Sequence, residues 1–321
     1  MKGQWRIGGR LMAILVATAL AGFARTSVSA NGNTQQPGMA SPGAVNYVEG
    51  QATLDGEPLT AQSVGSTVAR PNQVIGTTNG YVEVLLTPGS FLRIGHNSEV
   101  RLASASLGGV TLQVNQGSVL VEVADLVEGS RLTVDLSGAI TAIQKKGLYS
   151  FDATQHSVRV LDGKAVVRNT AGETTLKKGN EVLLASDGPL KKRNFETKPA
   201  QHEPLYVWSK VRSQQESLAN MNAANSIAAG GGWYGPGWYW DPYWSGYAFL
   251  PGSGFLYSPF GWGFYGYGYP GIWGGGFGYR YYAPRVYGRY YGHGFHGYPG
   301  HVAGSIHQGS GFHGGGGRGH R

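Results

Sequence analysis

Residues 81–123, YVEVLLTPGSFLRIGHNSEVRLASASLGGVTLQVNQGSVLVEV, alternate apolar and polar side chains almost throughout. Val82, Val84 and Leu86, then Leu92 and Ile94, Val100 and Leu102, Val110, Leu112 and Val114, and finally Val119, Val121 and Val123 mark one face. A period of two buries that set and sends Glu83, Arg93, Glu99, Arg101, Thr111, Gln113 and Glu122 to the opposite, wet face. Pro88-Gly89-Ser90, Gly95-His96-Asn97 and Asn115-Gln116-Gly117 punctuate the runs with residues that tolerate reversing dihedrals.

The same pattern extends both ways. Upstream, strands are expected at 45–54, 60–68 and 73–77. Downstream they are expected at 132–136, 140–143, 148–151, 158–161, 165–167, 174–176 and 182–184, separated by Gly-containing turns. The implied class is all-β: a compact β-sandwich or β-roll of about a dozen short, mostly antiparallel strands, followed by one α-helix and a low-complexity tail. The helix starts at Pro204, which suits a first turn. Leu205, Trp208, Val211 or Arg212, Gln215, Leu218 and Met221 then recur at three to four, a stripe expected to pack on the β domain with Trp208 as its anchor. Asn220, Asn222 and Asn225 are expected to fray the helix end.

Composition divides the chain. From Ala229 onward lie 30 of the 54 glycines and 28 of the 38 aromatics, with few aliphatic residues to fill a core. That tail is expected to stay largely disordered and to associate through many weak aromatic contacts. An alternative docks it as an apron over the β domain between Trp233 and Phe264. The expected division is 1–30 signal peptide, 31–43 disordered spacer, 44–190 β domain, 203–228 helix and 229–321 tail, with 44–228 folding alone. The signal reading rests on Lys2, Arg6 and Arg10, the apolar run Leu11 to Ala24 and the small residues Val28-Ser29-Ala30. That run is shorter than the roughly 20 residues needed to span a bilayer, so export to the periplasm or cell surface is expected with no stable transmembrane segment.

The net charge of +8 belongs to the two ends, since 31–228 holds 17 basic and 17 acidic residues. Nucleic-acid binding is therefore not indicated. With no cysteine, thiolate metal sites and disulfides are excluded. No cofactor motif stands out, and His96-Asn97-Ser98-Glu99 is too tight a run to form a nucleophile–base pair. The chain is read as not an enzyme. His293, His296, His301, His307, His313 and His320 are candidate metal ligands, though their spacings of 3, 5, 6, 6 and 7 define no geometry. Trp233, Trp238, Trp240, Trp244, Trp262 and Trp273 are the candidate interaction residues, each expected to add about 0.5–1.5 kcal/mol in a graded way. The expected partners are an envelope protein or anionic polymer, together with self-association; Lys145-Lys146, Lys177-Lys178 and Lys191-Lys192-Arg193 read as solvated turns.

Several turn and core positions carry a family resemblance. They are Glu49-Gly50-x-Ala52, Val74-Ile75-Gly76-Thr77, Leu86-x-Pro88-Gly89-Ser90-x-Leu92-Arg93-Ile94-Gly95-x-Asn97-Ser98, Leu112-x-Val114-x-x-Gly117-x-Val119 and Val160-x-Asp162-Gly163-x-Ala165-Val166. Over about Val45 to Asp187 the chain resembles the FecR domain, an exported all-β module. With its helix and Gly/aromatic tail it is similar to exported bacterial FecR-domain proteins of acidobacterial type. The resemblance implies a periplasmic part of a regulator that acts on a sigma factor. Ten residues ahead of the apolar run are too few for a sigma-binding segment, so that role is not expected to carry over. Binding or scaffolding at the cell envelope is the leading expectation. The alternatives are a sensory module and metal capture by the histidines.

Overall fold

The computed structural model describes residues 40–184, 188–230, 235–252 and 254–266. The chain enters through β1 (Val45–Leu54), β2 (Glu57–Leu59), β3 (Val74–Leu85), β4 (Ser90–Ile94), β5 (Glu99–Ser106) and β6 (Gly109–Gln116). It continues through β7 (Ser118–Val123), β8 (Arg131–Leu136), β9 (Ala139–Ile143), β10 (Gly147–Asp152), β11 (Ser157–Asp162), β12 (Lys164–Asn169), β13 (Gly172–Lys177) and β14 (Asn180–Leu183). After β15 (Lys192–Asn194) come a short α1 (Thr197–Ala200) and the long α2 (Pro204–Gly230). Two hairpins follow, β16 (Gly237–Asp241) with β17 (Gly246–Leu250), and β18 (Phe255–Tyr257) with β19 (Gly263–Tyr265).

β1 to β15 form one sheet, antiparallel except that β6 and β8 run parallel. The exception arises because the chain leaves β6, pairs β7 with β4 and β10, and returns as β8. The sheet folds over itself into a nearly closed roll. β3 makes the crossing: Val74–Gly76 pair with β5, whereas Val82–Leu85 pair with β4. β1 follows it, with a register shift between Gly50 and Ala52. There Gly50 takes φ +70°, and a Cβ on it would lie 2.1 Å from the Asn79 carbonyl oxygen, so only glycine lets the two strands turn together.

The inward face is the one the alternation marks. Val82, Val84, Leu92, Ile94, Val119, Val121, Val123, Tyr149, Phe151, Val158 and Val160 meet the inward residues of β5, β6, β8, β9 and β12 in one core. Burying each such side chain contributes about 1.5–3 kcal/mol. The segment 60–68 departs from its expected strand: Thr60 caps a 3-10 turn at Ala61–Ser63. Its side chain takes the Gln62 N–H while Ser63 returns a bond to its own N–H, an arrangement that favours a helical turn over extension.

The outer face of β3, β4, β7 and β10 is not wet. α2 lies across it, and the two hairpins fill the remaining space. This corrects the expected fate of Glu83, Arg93 and Glu122, each of which is fully buried. It also corrects the expected disorder of the tail over 235–266. Trp238, Phe249 and Phe264 pack with Leu85, Phe91 and Ala124 of the sheet. Tyr239, Ala248 and Leu250 pack on Ala219, Ala223 and Ala224 of α2. Few aliphatic residues are needed because each aromatic ring covers a large area, and the helix meets them with alanines. Ala40 and Gly43, from the expected spacer, are buried too, and Gly43 donates its N–H to the Leu85 carbonyl.

Candidate functional site

α2 docks by a face that hydropathy does not reveal. Its buried positions are Ser209, Arg212, Ser213, Glu216, Ser217, Ala219, Asn220, Ala223 and Ala224, most of them recurring at three to four. The expected stripe is met only in part: of the alternatives Val211 and Arg212 it is Arg212 that is buried, Trp208 does pack on the β domain, and Leu205, Trp208, Leu218 and Met221 are only half-buried. Small residues let the helix backbone approach the sheet, and the polar groups among them find partners there. Asn220 does not fray the helix. Its amide donates to the Phe249 and Tyr265 carbonyls and its oxygen accepts the Tyr265 N–H at 2.8 Å, tying α2 to both hairpins. Ser217 donates to the Gly263 carbonyl at 2.6 Å.

At the centre of this seam is a buried ionic cluster. Register places Glu83 opposite Arg93 on neighbouring strands. Arg93 Nε donates to Glu83 Oε2 at 2.8 Å and its Nη1 donates to Glu122 Oε2. From above, Arg212 Nη2 donates to Glu83 Oε1 at 2.8 Å and to Glu216 Oε1 at 2.6 Å. Asn46 Nδ2 reaches the same two oxygens at 3.1 and 2.9 Å, and Ser213 donates to Glu122 at 2.8 Å. The Arg212 guanidinium also stands 4.1 Å over the Tyr47 ring. Burial pushes the Glu83 carboxyl upward, but the Arg212 and Arg93 charges outweigh it and hold it at about 2. In Glu216, burial and the neighbouring Glu83 charge outweigh Arg212 and raise the carboxyl well above its ordinary value. Removing one member of such a cluster strands its partner in a low-dielectric interior, which is costly.

Beside the first turn of α2 the seam opens into a cleft of about 350 Å³. Tyr81, His96, Ser118, Leu120, Ser150, Asp152, Gln155, Arg159 and Leu161 line the sheet side, and Glu203, Pro204, Leu205 and Tyr206 the helix side. Its rim is an aromatic stack: Tyr81 lies parallel to Trp208 at 4.7 Å and meets the His96 ring at 4.2 Å. Trp208 is held in turn by Glu49, which accepts its Nε1–H at 2.8 Å. Arg159 is aimed by Glu181 at 3.2 Å, Glu203 at 2.8 Å and Gln155 at 2.7 Å. Ser98 is committed to the His96 and Ser118 carbonyls rather than to the imidazole. A second, more open groove of about 590 Å³ between Gln51, Pro58 and Glu99 carries fewer titratable groups.

The expected interaction tryptophans separate into different roles. Trp238 is 1 % exposed and meets Phe91 and Phe249 edge-on at 5.0 and 5.6 Å. Trp240 is half-buried against Gly65 and Tyr247. Trp262 is half-buried and donates to the Lys210 carbonyl of α2 at 3.2 Å. Trp244 is exposed with Tyr243 at the β16–β17 turn. Trp233, Trp273 and all six candidate histidines (His293, His296, His301, His307, His313 and His320) lie outside the described residues, as do the signal segment and most of the spacer. Of the basic runs, Arg193 pairs with Glu181 at 2.9 Å and Lys178 with Asp162 at 3.4 Å.

The residues missed from sequence are Glu83, Arg93, Glu122, Arg212 and Glu216, together with the cleft set Asp152, Gln155, Arg159 and Glu203. One signal was present: serine, alanine and asparagine recur at helical spacing from Ser209 to Ala224, a sign of close helix contact.

No family model matches this chain, and no curated protein matches it. Among solved structures, two crystal structures of a candidate anti-sigma factor from Parabacteroides distasonis ATCC 8503 are similar. One aligns with 17% identity and TM-score 0.35 over 40% of this chain and 62% of the other. The second aligns with 16% identity and TM-score 0.36 over 43% and 64%. The chain thus spans less than two thirds of the length of either. No described helix is long and apolar enough to cross a membrane.

Proposed function

We propose that this chain is an exported, non-catalytic recognition module of FecR type that binds a component of the cell envelope in the cleft beside α2. The observation that carries the reading is the cleft's construction. An aromatic rim, an imidazole and a guanidinium aimed by three acceptors converge on one concave surface between two rigid elements. Sites of this kind bind by shape and a few placed polar groups. Arg159 and Tyr206 contribute the polar and apolar halves of the contact. Because the first turn of α2 forms one wall, an occupant would also bear on how that helix docks, which favours a sensory module as the second reading over a passive scaffold. The exposed Tyr243–Trp244 pair is the part of the expected aromatic adhesive surface that this reading retains.

Placing a photo-reactive side chain at Tyr206, and separately at the exposed Leu107 on the β5–β6 turn, tests the proposal in intact cells. Adducts are expected from Tyr206 and absent from Leu107, and Arg159→Ala should reduce them. Equal labelling from both positions, or none from Tyr206, would overturn it.

A further inference from the structure

The ionic cluster contains three carboxyl groups, Glu83, Glu122 and Glu216, and two guanidinium groups, Arg93 and Arg212. All five side chains are buried. If every group were ionised, the seam would hold one uncompensated negative charge, and a buried unpaired charge is more costly than a protonated carboxyl. Geometry identifies where the proton belongs. The Oε1 atoms of Glu83 and Glu216 accept from the same two donors, Asn46 Nδ2 and Arg212 Nη2, all within 3.1 Å, so the carboxyls lie side by side. Glu122 stands apart, satisfied by Arg93 and Ser213. Glu216 Oε2 has no hydrogen-bond partner among the described residues, so nothing there stabilises a full negative charge on Glu216.

We infer that Glu83 and Glu216 share one proton across the sheet–helix seam, so that docking of α2 is proton-linked and loosens as pH rises. Two carboxyls in one low-dielectric site cannot both ionise at their ordinary values, and their titrations belong to the pair. The charged groups that act on Glu216 are Glu83 from β3, Arg93 from β4 and Arg212 from its own helix, with Glu122 of β7 on the far side of Arg93. From β1, Asn46 donates to it at 2.9 Å and Tyr47 lies under Arg212, and the Tyr247 carbonyl accepts from Asn46 at 3.2 Å. The sign follows from which state holds the proton. The folded chain keeps it on Glu216 above the ordinary carboxyl value of 4.5, so it binds more protons than the unfolded chain. Glu216's contribution is therefore fully present below 4.5 and is lost as pH rises through its folded value. Glu83 acts oppositely: held at about 2, its contribution is present above 4.5 and lost as pH falls towards about 2. The seam is thus tightest in mildly acidic surroundings. Since α2 forms one wall of the cleft, a rise in pH loosens that wall whatever the cleft binds.

The test uses the full chain and Glu216→Gln, whose amide keeps the Oε1 acceptor and cannot ionise. Infrared spectroscopy of the wild type, followed as pH is raised above the ordinary carboxyl value of 4.5, should show the carbonyl band of a buried protonated carboxylic acid persisting, and the band should be absent in E216Q. The wild-type melting temperature should fall relative to that of E216Q over the pH range in which the band disappears, with hydrogen exchange of α2 rising in parallel. A wild type whose band is already gone at the ordinary carboxyl value, or parallel melting profiles for the two proteins, would overturn the inference. The infrared measurement stands on the wild type alone, so it decides even if E216Q folds poorly.

Discussion

Trp238→Ala separates a tail that is part of the fold from one that only adheres to surfaces. Trp238 is 1 % exposed and fills the space between Phe91 of the sheet and Phe249 of the hairpin. Truncating a buried tryptophan costs about 3–5 kcal/mol through lost transfer energy and the cavity left behind. Its Nε1–H has no acceptor among the described residues, so removing it returns about 1 kcal/mol. The net expectation is a loss of about 3 kcal/mol, a large share of the roughly 5–15 kcal/mol that holds a typical domain. With an m-value near 2 kcal/mol/M, the urea midpoint should drop by about 1.5 M. Trp238→Phe keeps most of the ring volume and removes the unpartnered donor, so it should stay within about 1.5 kcal/mol of the wild type. Trp244→Ala, at the exposed turn, should stay within about 0.5 kcal/mol. Equilibrium unfolding followed by circular dichroism measures all three. If Trp238→Ala shifts the midpoint no more than Trp244→Ala, the hairpins do not seal the outer face of the sheet and the reasoning fails.

Truncation gives a second check. A chain ending at Gly230 uncovers Leu85 and Phe91 and leaves the Asn220 amide without its two carbonyls, so it should bind a hydrophobic dye and lose cooperative unfolding, whereas one ending at Gly266 should keep it. Equal cooperativity in the two would show that 44–228 folds alone after all. In the ionic cluster, Arg93→Met should cost about 3–5 kcal/mol because Glu122 loses its guanidinium. Adding Glu122→Leu should recover part of that loss, and strictly additive costs would mean the pair is not coupled.

The inward core was legible because alternation is a local property. Val82, Val84, Leu92, Ile94 and Val119 to Val123 announce a buried face wherever the strands come to lie, and the glycine-containing turns between them set strand lengths. The start of α2 at Pro204 was legible for the same reason. The fate of the other face was not. Glu83, Arg93 and Glu122 occupy the period-two positions that solvated side chains occupy in any half-buried strand, and nothing within those strands says that a helix whose partner residues lie 91 to 129 positions later will cover them. The helix concealed its own role, because its contact face is made of serine, arginine, glutamate and asparagine whose partners are distant in sequence. Residues 235–266 misled in the opposite direction, since a glycine-rich stretch with few aliphatics reads as unable to form a core. Tertiary structure supplied what it lacked: an aromatic face of the sheet at Phe91 and an alanine face of α2 for its rings to close on. The cleft exists only where those two surfaces part, so its residues, drawn from strands and a helix far apart in the chain, become a site only once α2 has docked.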